Sequence, residues 1–255
     1  MSFYENLSRV YEYVFPVQKP ALDLLHQLAG FKTARILDIA CGTGGHAGSL
    51  AASGHNVYAC DLDRAMAARA GARPGVKAFA ADMRTLASTP ELADISGSFD
   101  LIYCIGNSLV HLSDENEIAE ALAEMSYLLR PGGKLLIQII NYHRIMLGHL
   151  PGLPTIKNVD AGIEFERHYN YPQADDGIIF RTILRTGIGS ADYQESEGQV
   201  RLLPLQPDRL LEILTTVGLS DIRVFGRFSG DAFEPESSVP FIAIAAKTDN
   251  KQQNN

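Results

Sequence analysis

Apolar positions in the first half of the chain fall into short runs bounded by polar or glycine-rich turns. Runs at 35–39, 55–60, 76–80, 99–105 and 134–140 read as strands, because each is only a handful of residues long and flanked by turn signals. Between them, 45–53 and 64–71 carry helical spacing, and a further helix reaches Leu129. Ser113-Asp114-Glu115 supplies a cap and first-turn acids for that helix, and Pro131-Gly132-Gly133 ends it before the fifth strand. Upstream, 2–30 reads as two helices broken at Phe15-Pro16, since proline cannot continue a helix and restrains its predecessor. Strands that alternate with helices of this length predict an α/β domain, its parallel sheet covered on both faces.

The pattern then changes. Segments 162–171, 178–188 and 193–203 read as three strands with no helix between them, separated by turn clusters such as Pro172-Gln173-Ala174-Asp175-Asp176-Gly177. They predict an antiparallel β meander, over about 156–203, inserted into the α/β frame. Pro207 opens a helix over 208–217 that ends at Gly218, and strands at 221–228 and 239–246 follow. No repeat or long linker divides the chain. It is expected to form a single domain over 1–247 with a helical cap at 2–30, and 248–255 is expected to be a disordered polar tail.

Composition narrows the function. The 255 residues are 46% hydrophobic and 20% charged, enough for one sizeable core. Net charge is −8 with no Lys/Arg stripe, so a nucleic-acid partner is not expected, because phosphate contacts carry most of such affinity. Cys41, Cys60 and Cys104 show neither a disulfide framework nor zinc spacing, and the histidines show no metal-ligand spacing, so no metal is expected. The chain shows no signal segment and no apolar run of membrane-spanning length, so no membrane partner is expected and a cytoplasmic location is.

The chemistry concentrates where the first three strands end. Asp38-Ile39-Ala40-Cys41-Gly42-Thr43-Gly44-Gly45 joins the first strand to a helix, and its small residues allow a tight turn against a ligand. Asp61, at the end of the second strand, is placed to accept both hydroxyls of a ribose, and Asp82, after the third, to accept from an adenine amino group. Together they describe an adenosyl site. Gly42-x-Gly44-x-x-Ala47 also satisfies a dinucleotide fingerprint, so a nicotinamide oxidoreductase fits the glycines equally well. Asp38 separates the two: a carboxylate there repels a pyrophosphate and suits a ligand with an amino group and a sulfonium.

Five segments in order then resemble the class I S-adenosylmethionine-dependent methyltransferase family. They are 36–45, Tyr58-Ala59-Cys60-Asp61-Leu62-Asp63, Ala81-Asp82-Met83, Phe99-Asp100-Leu101-Ile102-Tyr103-Cys104 and Leu129-Arg130-Pro131-Gly132-Gly133-Lys134-Leu135. The resemblance implies a Rossmann-like doubly wound sheet of seven strands, mostly parallel, with an antiparallel last strand. It implies S-adenosyl-L-methionine as cofactor, bound by Asp38, Ala40, Gly42, Gly44 and Cys104 around the turn. Asp61 would hold the ribose, Leu62 and Met83 would flank the adenine, Asp82 would bind its amino group, and Tyr4 and Tyr11 would cover the ligand.

Methyl transfer needs orientation more than acid–base chemistry, so the acceptor leaves a weaker trace. Cys104-Ile105-Gly106-Asn107-Ser108-Leu109-Val110-His111-Leu112 and Asn141-Tyr142-His143 resemble the glycine N-methyltransferase-like subgroup. Where that subgroup has an arginine for the substrate carboxylate, just before Asn141, this chain has Ile140, so an acceptor held by that arginine is not implied. Asn107, His111 and Tyr142 are the candidate acceptor-side residues, with His111 either a base or the cap of the next helix. Arg167, His168 and Tyr169, in the meander, are candidates because such an insert commonly roofs the acceptor pocket. The reading is a small-molecule N- or O-methyltransferase, and a homodimer through the meander is an assembly it allows. The rivals are an oxidoreductase and a cofactor-binding protein that has lost its chemistry.

Overall fold

The computed structural model describes residues 3–173 and 177–248, with the side chains of 3–5 outside the described set. The polar tail from 249 on therefore lies outside the described residues. Two helices, α1 (Phe3–Val14) and α2 (Lys19–Ala29), precede the sheet, and Pro16 falls in the break between them. Then β1 (Arg35–Ile39), α3 (Gly45–Ala52), β2 (Asn56–Asp61), α4 (Arg64–Gly71) and β3 (Val76–Ala80) alternate. After β4 (Phe99–Cys104), α5 (Glu115–Leu128) leads directly into β5 (Leu129–Ile140). The ladder starts five residues earlier than the apolar run predicts, because the Pro131-Gly132-Gly133 turn is itself laid against β4. A Cβ on Gly133 would stand 2.6 Å from the Phe99 carbonyl oxygen, and Gly132 has φ +71°.

Two elements were not legible in the pattern. A short helix, α6 (Tyr142–Leu147), capped by Asn141, follows β5. The meander has four strands rather than three and begins at residue 152: β6 (Gly152–Asn158), β7 (Ile163–Asn170), β8 (Ile178–Thr186) and β9 (Gln194–Leu202). β6 escapes because none of its residues is buried, Pro154 interrupts it, and its register slips between Leu153 and Ile156. The chain closes with α7 (Pro207–Thr216), β10 (Leu219–Phe225) and β11 (Pro240–Lys247).

The main sheet runs β10-β11-β5-β4-β1-β2-β3, parallel except that β11 pairs antiparallel with both β5 and β10. Alternate residues of β1 serve opposite faces. Ile36 joins the core under α2 and α3, whereas Leu37 and Ile39 join the core under α5 and α7. Strand order reverses at the β1/β4 boundary, which opens a crevice at their carboxyl ends, the usual ligand position of such sheets.

The meander and α1 cover that crevice. Leu7 and Val14 of α1 share a small core with Ile163, Phe165 and Leu184 of the meander. The meander's other face carries paired charges instead: Arg185 bridges Glu164 and Glu195 at 2.8 and 2.7 Å and also pairs with Glu166, and Arg181 holds Glu197. None of the described helices is long and apolar enough to cross a membrane.

Candidate active site

Two residues other than glycine adopt left-handed backbone beside the crevice: Ala40 (φ +56°) just after β1 and Asn107 (φ +73°) just after β4. Such conformations are sparsely populated and persist where the surroundings impose them, often at functional sites. Ala40 starts the turn through Cys41, Gly42 and Gly44 into α3. Asp61, ending β2, ties that turn down. One carboxylate oxygen accepts from Gly42 N–H at 2.8 Å and the other from Asp63 N–H at 2.9 Å. Each oxygen keeps a lone pair for a further donor, as a ribose diol requires. Asp63 in turn caps α4, accepting from Ala65 and Met66 N–H at 2.7 and 3.0 Å.

Asp38 is 4% exposed. Burial pushes its carboxyl up to about 8, and the nearby Asp61 adds to the rise. The Tyr103 hydroxyl, also buried, lies close enough to influence Asp38 without making a well-formed hydrogen bond. Asp61 is raised as well, by burial foremost. Two desolvated carboxyls at one turn make a place where a cationic ligand relieves an unfavourable charge. That is an environment for a sulfonium and an amino group and a poor one for a pyrophosphate.

Tyr11 closes the turn from above. A Cβ on Gly42 would lie 2.8 Å from the Tyr11 hydroxyl oxygen, and the phenol is held protonated by burial and by Asp61 and Asp38. Gly44 is needed for a different reason: its Cβ would sit 2.7 Å from the Ala70 Cβ of α4, at φ +72°. Both glycines thus answer to contacts within the protein. Tyr4 belongs to α1, but its side chain is outside the described residues. Leu62 is exposed, Met83 half-buried, and Cys104 wholly buried with its thiol pushed up to about 12, hence neutral.

Asp82 stands apart from the simple expectation. Arg84 engages both its oxygens, and Glu117 also holds Arg84, so the carboxyl sits below the usual range. Contact with an adenine amino group would use its remaining lone pairs.

On the acceptor side, Asn107 is committed at both ends of its amide. Its oxygen accepts from Ile140 N–H and its nitrogen donates to the Tyr142 hydroxyl, each at 2.9 Å. Gln138, which the sequence did not single out, completes the clamp by accepting from Gly106 N–H at 2.8 Å. Its only signal is a polar residue inside an apolar strand. Tyr142 is fully buried, with Tyr169 of the meander close by.

His111 does not cap α5; Asp114 does, accepting from Asn116 and Glu117 N–H. The His111 ring has an exposed edge, yet enough protein surrounds it to disfavour the imidazolium and lower its pKa. His168 points away from the crevice and pairs with Glu166 at 2.8 Å, whereas strand alternation turns Arg167 and Tyr169 inward.

Comparison with known proteins agrees with this geometry. The family model described as a methyltransferase domain matches residues 36–133. A glycine/sarcosine N-methyltransferase from Parasynechococcus marenigrum is 31% identical over 221 residues, covering 83% of this chain and 71% of that protein. A ubiquinone biosynthesis O-methyltransferase from Xylella fastidiosa is 33% identical, over only 120 residues and 47% of each chain. Among solved structures, an S-adenosylmethionine-dependent methyltransferase from Clostridium acetobutylicum superposes with a TM-score of 0.77 at 19% identity, covering 96% of this chain and 99% of that one. With the glycine turn, the paired carboxyls and the seven-stranded sheet in place, the chain belongs to the class I S-adenosylmethionine-dependent methyltransferase family.

Proposed function

We propose that this enzyme methylates the nitrogen of a small-molecule amine. The observation that carries the reading is the reach of the N-methyltransferase resemblance. At 83% of the chain it must extend into the meander that roofs the crevice, whereas the O-methyltransferase resemblance covers 47%, about the length of the sheet core. The roof contributes Tyr169 to the acceptor side, so likeness there bears on the acceptor more than likeness in the cofactor half.

S-adenosylmethionine, when bound, supplies a methyl group on a sulfonium, which passes to the nitrogen lone pair as the C–S bonding pair returns to sulfur. The chain's own residues do the rest. Asp61 would take the ribose hydroxyls, and Asp38 would favour the cationic end of the ligand. Tyr11, α1 and the meander exclude water, so that orientation supplies most of the acceleration. An amine arrives protonated at neutral pH and must lose that proton to become a nucleophile. His111, whose imidazolium form its surroundings disfavour, would take it. Asn107 and Tyr142 hold the far wall rigid.

The test is a set of small amines and their hydroxyl analogues, incubated with enzyme and methyl-labelled S-adenosylmethionine, with the methylated atom identified by mass spectrometry. The expected result is label on nitrogen. Label confined to oxygen overturns the assignment.

A further inference from the structure

The inward row of β7 is Ile163, Phe165, Arg167 and Tyr169. Three of these are buried aromatic or aliphatic residues, and the fourth is a guanidinium in the same register. Arg167 is held in place by one bond, from Nη2 to the Pro154 carbonyl oxygen at 2.5 Å. Its Nε is buried without a partner, and it makes no ion pair among the described residues. Arg181 and Arg185, on the outward row of β8, are both paired with carboxylates. Thr182, directly across the ladder from Arg167, donates its hydroxyl to the Gly198 carbonyl at 3.2 Å and makes no hydrogen bond to Arg167.

Two residues further along the row, the Tyr169 hydroxyl is likewise buried and unpartnered, and Tyr169 is only 5% exposed. It lies within electrostatic reach of both Arg167 and Tyr142, and the Tyr142 hydroxyl is held by Asn107 at the end of β4. Arg167, Tyr169, Tyr142 and Asn107 therefore form a path from the roof to the crevice wall. Buried donors without acceptors are costly and rarely retained without a partner. A guanidinium edge offers parallel N–H groups that match the two oxygens of a carboxylate. A single such cation suits a monoanion better than a phosphate dianion.

We propose that Arg167, assisted by the Tyr169 hydroxyl, anchors a carboxylate on the acceptor, so that the substrates are amines carrying a carboxylate. This rests on the N-methylation reading. The guanidinium binds and orients; it takes no part in the proton or methyl transfer.

The experiment measures methyl transfer from S-adenosylmethionine to α- and β-amino acids, each beside the amine that lacks its carboxylate. Wild type is expected to methylate members of the first group and none of the second. Arg167→Met should raise KM for the acceptor at least tenfold and leave kcat within about threefold, and Arg167→Lys should recover part of the loss. The dissociation constant of S-adenosylhomocysteine should be the same in all three proteins, and the melting temperature of Arg167→Met should be equal to or above wild type. Equal turnover of the carboxylate-free amines, or an unchanged KM in Arg167→Met, overturns the proposal. A weakened S-adenosylhomocysteine affinity overturns it too, since the anion held would then be the cofactor's own. A lower melting temperature with KM unchanged assigns Arg167 to structure alone. If wild type methylates neither group, the amine reading fails and this inference falls with it.

Discussion

Asp38 has its carboxyl raised from 3.8 to about 8 by burial and by Asp61, and that fixes a sign for stability. In the ligand-free protein the folded state holds this proton between those values and the unfolded chain does not. The contribution of Asp38 to stability is therefore highest near pH 4 and declines as pH rises towards 8. Asp38→Asn mimics the protonated carboxyl, so it should raise the melting temperature of the ligand-free protein at pH 8 and change it little at pH 4. It should also weaken S-adenosylmethionine binding tenfold or more. Melting curves at both pH values and a titration at pH 8 check this; a variant less stable at pH 8 than wild type contradicts it. His111 shifts the other way, its pKa lowered below 6.5 by burial. At saturating substrates kcat should climb with pH through that lowered value and level off near neutrality. His111→Ala should lose that inflection and fall by about a hundredfold, within the range of general-base effects. An inflection that survives in His111→Ala assigns it to another group.

Among the elements, those built on runs buried from both sides were legible and those built on exposed strands were not. β1 and β4 fall, to within a residue, where their apolar runs place them, because a parallel sheet covered on both faces buries nearly whole strands. β6 has no fully buried residue, its apolar Leu153 and Ile156 being only partly covered, so its sequence carries little period to read. In the candidate site, Asp61 was legible from its place at a strand end, about 20 residues beyond the glycine turn. The pairing of Asp82 with Arg84, the clamp of Gln138 on Gly106 and the inward row of Arg167 were not, because each depends on which way a side chain leaves its strand or loop. Gly44 sits where α3 and α4 meet. Gly44→Ala combines left-handed backbone with a Cβ 2.9 Å from the Ala70 Cα, so it should destabilise the fold by about 2 kcal/mol or more. Denaturant unfolding measures this, and a loss below about 0.5 kcal/mol would mean that α4 moves aside freely.

At the scale of the whole molecule, three pieces of the chain converge on one crevice. The sheet provides the carboxyl ends of β1, β2 and β4, α1 lays Tyr11 over the glycine turn, and the meander sets Tyr169 beside Tyr142. α1 belongs to both halves: its apolar side seats on the meander, while Glu12 is paired with Arg73, which also donates to the Thr43 carbonyl at 2.6 Å. A ligand at the turn would lie beside Tyr11 and Asp61, both of which pack or bond against Gly42. Calorimetric titration of S-adenosylhomocysteine into wild type and Asp61→Ala tests that placement most directly. Wild type is expected to bind saturably with one-to-one stoichiometry, and Asp61→Ala to lose more than ~1.5 kcal/mol of affinity, as for charge-assisted hydrogen bonds. No binding by wild type, or the same dissociation constant in both proteins, would contradict it.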